Sequence, residues 1–227
     1  MKSIIPRMSG LALLAVSLQA GVITGFNSRG SFGGDDTLQW GVAADEGSAP
    51  ASPFARTSAG GGITANASLP GNPNFLITVE GSISGGNFAL GDVLLSTDTS
   101  NGPISIAFSS PIAGVGMQMQ RNVFGAFDGL INVYGAGNTL FGTITNNLGD
   151  SNGSVDNSAI FVGAKSSLTD IVRIELQVAN SEGSANNQFI INFLSLQLGT
   201  PAEIPEPATM GLVGTVLAVL AMKRRSR

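Results

Sequence analysis

The sequence predicts an all-β fold, an antiparallel, jelly-roll-like sandwich, from three observations. Short runs rich in Val, Ile, Phe and Thr recur along the chain, and Gly, Asn, Asp, Ser and Pro punctuate them. Glycine reaches 31 of 227 residues, about twice the usual share. Between residues 21 and 203 no segment carries a convincing amphipathic helical period. A β-solenoid suits the Gly/Asn load less well, because it requires a repeat and none recurs at 20–50 residue spacing.

The strand candidates follow in order. Phe75–Val79 and Ile104–Phe108 come first, then the alternating Val115–Met119 and the run Gly129–Tyr134. A turn at Gly135–Asn138 leads to Thr139–Ile144, followed by Ile160–Val162. In Ile171–Val178, Arg173, Glu175 and Gln177 alternate with Val172, Ile174, Leu176 and Val178. A period of two puts the polar set toward solvent and the aliphatic set in the core. Phe189–Leu196 reads as the last strand. Asp45–Gly62, with Pro50, Pro53 and three consecutive glycines, reads as a long loop.

The chain divides into three parts. Residues 1–20 read as a signal peptide: Lys2 and Arg7 form a positive start, Leu11–Val16 a short apolar core, and Ala20 a small residue suited to cleavage before Gly21. Residues 21–203 form one β-sandwich domain. Residues 204–227 are a second composite signal, with Pro205-Glu206-Pro207, the uncharged stretch Ala208–Met222, and a basic end at Lys223, Arg224, Arg225 and Arg227. As a transmembrane helix, 208–222 rises roughly 22 Å, short of a hydrocarbon core of about 30 Å. Snorkelling of Lys223 and Arg224 and local thinning cover the difference. The positive-inside rule keeps the basic end cytoplasmic, so both termini demand that the body be exported.

This partition changes the meaning of the net charge. The whole chain carries −4, with 11 bases against 15 acids. Six of the bases lie in the terminal signals, which leaves an acidic body with five. Such a body lacks the basic stripe that nucleic acid requires.

The chain has neither Cys nor His. That excludes a Cys or His nucleophile, a Ser-His-Asp triad, a Cys/His zinc site and disulfides. No catalytic residue is assigned. A secreted glycoside hydrolase would need two carboxyls about 5–9 Å apart. The available groups are Asp35-Asp36, Asp45-Glu46, Asp92/Asp98 and Asp150/Asp156. Ca²⁺, a hard cation held by carboxylates and carbonyls, suits the Asx-rich loop 149–157 better, with Asp150, Asn152 and Asp156 as ligands. The competing reading of that loop is a turn whose Asp and Asn cap their own backbone. No other cofactor is expected.

The C-terminal combination of Pro205-Glu206-Pro207, short apolar helix and Arg-rich end resembles the PEP-CTERM sorting signal. The resemblance implies a Gram-negative exporter that makes exopolysaccharide, and recognition by exosortase, a membrane protease-transpeptidase. It implies transient membrane anchoring, then release or transfer to the cell surface or extracellular matrix. A second resemblance, to exported PEP-CTERM domains, covers about 100–200. It is carried by Phe108–Gly116, Ile131–Tyr134 with Gly137–Leu140, Ala159–Gly163 and Phe189–Leu194. It implies a lectin-like sandwich. Asn192 and Phe193 stand where acidic residues are common in such domains. The function expected is a non-enzymatic exported surface or biofilm-matrix protein associated with exopolysaccharide or the envelope. The alternative is a carbohydrate- or calcium-binding lectin-like module.

Overall fold

The computed structural model describes residues 20–81, 86–98, 102–180 and 188–199. Residues 1–19 of the expected signal peptide, and the tail with its PEP motif, apolar segment and basic end, lie outside the described residues.

The regular structure of the described chain is almost entirely strand. Its elements are β1 (Ile23–Phe26), a single helical turn α1 (Arg29–Phe32), β2 (Asp36–Leu38), β3 (Phe54–Thr57), β4 (Thr64–Ser68), β5 (Leu76–Val79), β6 (Val93–Ser96) and β7 (Ile104–Ile112). They continue with β8 (Gly114–Arg121), β9 (Gly125–Tyr134), β10 (Leu140–Ser151), β11 (Ile160–Ser166), β12 (Ile171–Asn180), β13 (Phe189–Ile191) and β14 (Leu194–Gln197).

All pairings are antiparallel and fall into two sheets. One runs β1-β11-β8-β13-β6-β5, with β14 also on β8 and β2 on β14. The other runs β10-β9-β12-β7-β4-β3. The main hydrophobic core joins them, as in a two-layer sandwich. It takes Ile104 and Ile106 of β7, Ile131 and Val133 of β9 and Ile174 and Leu176 of β12 from one sheet. From the other it takes Met117 and Met119 of β8, Val162 of β11 and Leu196 of β14. The period of two puts these residues on one face of each strand. In β12 it leaves Arg173 and Glu175 outward, where Arg173 meets Glu175 and the Tyr134 hydroxyl donates to Glu175 Oε2 at 2.6 Å.

Three sequence expectations are corrected. Asp45–Gly62 is not one loop. It contains β3, which pairs with β4 from Phe54↔Ala67 to Thr57↔Thr64. The strand expected at Thr139–Ile144 runs on to Ser151, so Asp150 lies on a strand, opposite Ala126, rather than in a loop. The last strand is two strands. Ile191 pairs with Met119 and Ser195 with Gly116, so three residues, Asn192–Leu194, oppose the two residues Met117 and Gln118. That extra residue is a β-bulge. It switches the alternation, so Ile191 and Leu194 both face the core although they are three apart.

Candidate functional site

The bulge builds the most connected polar centre among the described residues. Asn192 is fully buried. Its carbonyl accepts from Trp40 Nε1 at 3.0 Å, and its Oδ1 accepts from the Gln118 backbone at 3.0 Å. Its Nδ2 donates to Asp92 Oδ2 at 3.0 Å and to Gln118 Oε1 at 2.8 Å. Every polar atom of that amide is matched, as burial requires.

Arg29 completes the network. Ser28 caps α1 through its side chain, and the turn carries Arg29 over the outer face of the first sheet. Its Nη2 donates to Asn192 Oδ1 at 3.2 Å and Gln118 Oε1 at 3.4 Å. The guanidinium lies 3.6 Å from the Phe193 ring centre and 5.8 Å from that of Phe161, a cation–π arrangement. Burial pulls Arg29 below its ordinary pKa, and the negative charge of Asp92 opposes that shift.

Beside Arg29 opens a cavity of about 400 Å³, at the lower end of the size range of small-molecule sites. Asn27, Gln118, Asn146 and Asn157 bring amides to its wall, and Ser28 and Ser158 bring hydroxyls. Phe161 and the exposed Leu148 give it apolar surface. Asn146 sits where β10 slips register against β9, and its Nδ2 donates to the Phe161 carbonyl at 3.0 Å. Gln118 Nε2 donates to Asn157 Oδ1 at 2.9 Å. Amides and hydroxyls offer both donors and acceptors along this wall.

The residues expected to hold calcium are used locally. Asn152 Oδ1 accepts from the Ser154 backbone at 2.9 Å, and Asp156 Oδ1 from the Ser158 backbone at 3.1 Å. These are Asx turns. The Ser158 bonds hold the exposed Asp156 carboxyl below its ordinary pKa, the side-chain bond contributing most. Asp150 is exposed. Among the described residues no three Asp or Glu side chains gather as a metal-binding group.

Three of the other carboxylates considered for a dyad have separate partners. Asp35 accepts from Gln197 Nε2 at 2.6 Å, Asp36 from the Gly60 backbone at 2.9 Å, and Asp45 from the Val42 backbone at 3.0 Å. Among the described residues the buried carboxyl is Glu80, 1% exposed, which accepts from the Gly86 backbone at 2.6 Å. Sequence reading missed Glu80, Arg29 and the cavity. One local signal was available: a polar Asn192 inside the apolar run Phe189–Leu196.

A two-sheet β body followed by a composite C-terminal tail is the plan of an exported protein that carries its own sorting address. Residues 203–225 match the family model of the PEP-CTERM protein-sorting motif, so this chain carries that motif, as a PEP-CTERM domain-containing protein does. The motif indicates an exported protein targeted to exosortase and sorted to the cell envelope or surface. The match includes Pro205, Glu206 and Pro207 and the first basic residues, Lys223, Arg224 and Arg225. No curated protein and no solved structure matches the chain. Among the described residues no helix is long and apolar enough to cross a membrane, and the expected span 208–222 lies outside them.

Proposed function

We propose that this is a non-enzymatic surface or extracellular-matrix protein of a Gram-negative bacterium, processed by exosortase in association with exopolysaccharide or an envelope component. The PEP-CTERM match at 203–225 carries this reading. Proline fixes its own φ and disfavours helix at the residue before it, so Pro205 and Pro207 suit a segment that a protease grips in extended form. The apolar stretch 208–222 anchors the chain until cleavage, and Lys223, Arg224, Arg225 and Arg227 hold its end in the cytoplasm. Deleting Pro205–Arg227 in a host with exosortase is expected to move the protein out of its normal cell fraction. Identical fractionation of the deleted and full chains would sink the reading.

A second reading, a lectin-like module on the same body, is favoured by strand order and by the cavity. Strands β6-β13-β8-β11 and β7-β12-β9-β10 make two four-stranded layers. The chain changes layer at every step from β6 to β13 except the β9–β10 hairpin, which is the winding of a jelly roll. The cavity beside Arg29 is the proposed saccharide contact. Calorimetry of the exported protein with the host's polysaccharide is expected to give binding that Arg29→Ala weakens. No heat with the unsubstituted protein would count against a lectin role. The reading needs no resident cofactor. A parallel titration with Ca²⁺, repeated on Asp156→Ala, tests Asp150, Asn152 and Asp156 as a calcium set.

A further inference from the structure

We infer that the chain is cut between Ala20 and Gly21 and that the new amino terminus docks on Asp170 as a buried-side ion pair. The inference rests on the export reading above, but on a different end of the molecule from the sorting tail.

Three observations carry it. The Gly21 nitrogen donates to Asp170 Oδ2 at 2.8 Å, across 149 residues of sequence. The other oxygen, Asp170 Oδ1, is buried and has no hydrogen-bond partner among the described residues. An amide N–H can serve one of these oxygens; an ammonium has three donors and can serve both. Finally, a Cβ on residue 21 would collide with Ser166 Oγ and come within 3.1 Å of Asp170 Oδ2 and 3.2 Å of the Leu168 nitrogen. Only glycine brings the main chain this close.

The seat is rigid. Next to Gly21, the Val22 nitrogen donates to Ser167 Oγ at 2.9 Å, and β1 then pairs with β11 from Ile23↔Ser166 onward. Ala20 is exposed, at the rim of a cavity of about 300 Å³ that Asp170 and Phe141 also line. The site where the chain enters the fold is thus open on the upstream side and closed on the downstream side. Hydrolysis by a signal peptidase adds hydroxyl from water to the Ala20 carbonyl and hydrogen to the Gly21 nitrogen. The free amine takes a further proton at neutral pH.

The other charged groups on elements packed against β1 are engaged elsewhere. Lys165 Nζ donates to Gln197 at 2.9 Å, Arg29 turns to Gln118 and Asn192, and Asp150 lies at the far end of β10. The amine therefore faces the Asp170 carboxylate. Its ordinary pKa is about 7.7–8.0, and pairing raises it in the folded state. Stability from the pair is fully present below the ordinary value and is lost as pH rises through the raised one.

The test uses the full chain exported by a Gram-negative host. Mass spectrometry of its N-terminal peptide is expected to begin at Gly21-Val22-Ile23; any other start overturns the inference, whatever becomes of the sorting tail. Asp170→Asn is expected to lower Tm by about 2–4 °C at pH 6, and the difference should shrink at pH 10. An equal difference at both pH values overturns the ion pair. Should Asp170→Asn fail to accumulate, the unsubstituted exported chain is compared with the chain expressed without export, whose Gly21 remains an amide. The exported form is expected to lose more stability between pH 7 and 10 than the unexported one, and parallel curves would overturn the pairing.

Discussion

Trp40 Nε1 donates to the main-chain carbonyl of Asn192 at 3.0 Å, with both residues wholly buried. This bond ties the segment after β2 to the bulge between β13 and β14, 152 residues away. Trp40→Phe keeps most of the ring volume and removes the donor, leaving a buried carbonyl without that partner. A loss of about 1–3 kcal/mol is expected, read by urea unfolding followed by circular dichroism. An unchanged midpoint would show that the bond contributes nothing net.

Asn192→Asp tests why the buried bulge carries an amide rather than an acid. A carboxylate cannot donate, so the bonds to Asp92 Oδ2 and Gln118 Oε1 both fail, and a second negative charge is placed beside Asp92. The variant is expected to melt below the natural protein at pH 7. The gap should narrow in acid, where a buried carboxyl takes up a proton and regains a donor. A gap that widens in acid would contradict this account.

Tyr134 is the only tyrosine in the chain, so its ionisation can be followed by ultraviolet absorbance without interference from another phenol. Its hydrogen bond to Glu175, together with burial and the Glu175 charge, raises its pKa above the ordinary value. Glu175→Gln is expected to move that titration down. The Glu175 carboxyl is itself shifted down: burial opposes ionisation, but hydrogen bonds from Tyr134 and Arg173 outweigh it. Stability from this group is present above its ordinary pKa and is lost as pH falls through the depressed one. Glu175→Gln should therefore flatten part of the acid limb of a Tm–pH curve.

Glu80 works in the opposite sense. Burial raises its pKa, more than the backbone N–H groups of Gly86, Gly81 and Phe88 lower it. Its contribution is complete below the ordinary carboxyl value and is lost as pH rises through the raised one. Glu80→Gln keeps an acceptor for Gly86 and removes the charge. It is expected to abolish this loss, so Tm near pH 7 is at least that of the natural protein. A fall in Tm at pH 7 with no change at pH 4 would show that the charged form is the stabilising one.

The parts of the fold legible in the sequence are those with local cause. β12 could be read because Arg173, Glu175 and Gln177 alternate with aliphatics along one strand. β3 and β4 could not: Ala55, Ala65 and Ala67 have weak β-propensity, and what makes them strands is pairing with each other and with β7. The break at Asn192 was hidden for a related reason. Phe189–Leu196 is apolar apart from Asn192 and Ser195, and the register against β8 is what reveals the extra residue. The cavity was illegible because its wall comes from residues 27–29, 118, 146, 148 and 157–161, which approach one another only when the two sheets close.

By itself, the sequence determined the composition, the uneven spread of charge between the ends and the middle of the chain, and the sorting motif. These depend on composition and on contiguous residues, and a membrane or a protease reads them from an extended segment. Tertiary structure alone decided which polar groups are buried and which amides share a cavity. It also set Gly21 against Asp170. Each of these depends on strand register, and register is fixed by which faces of distant strands can be buried together.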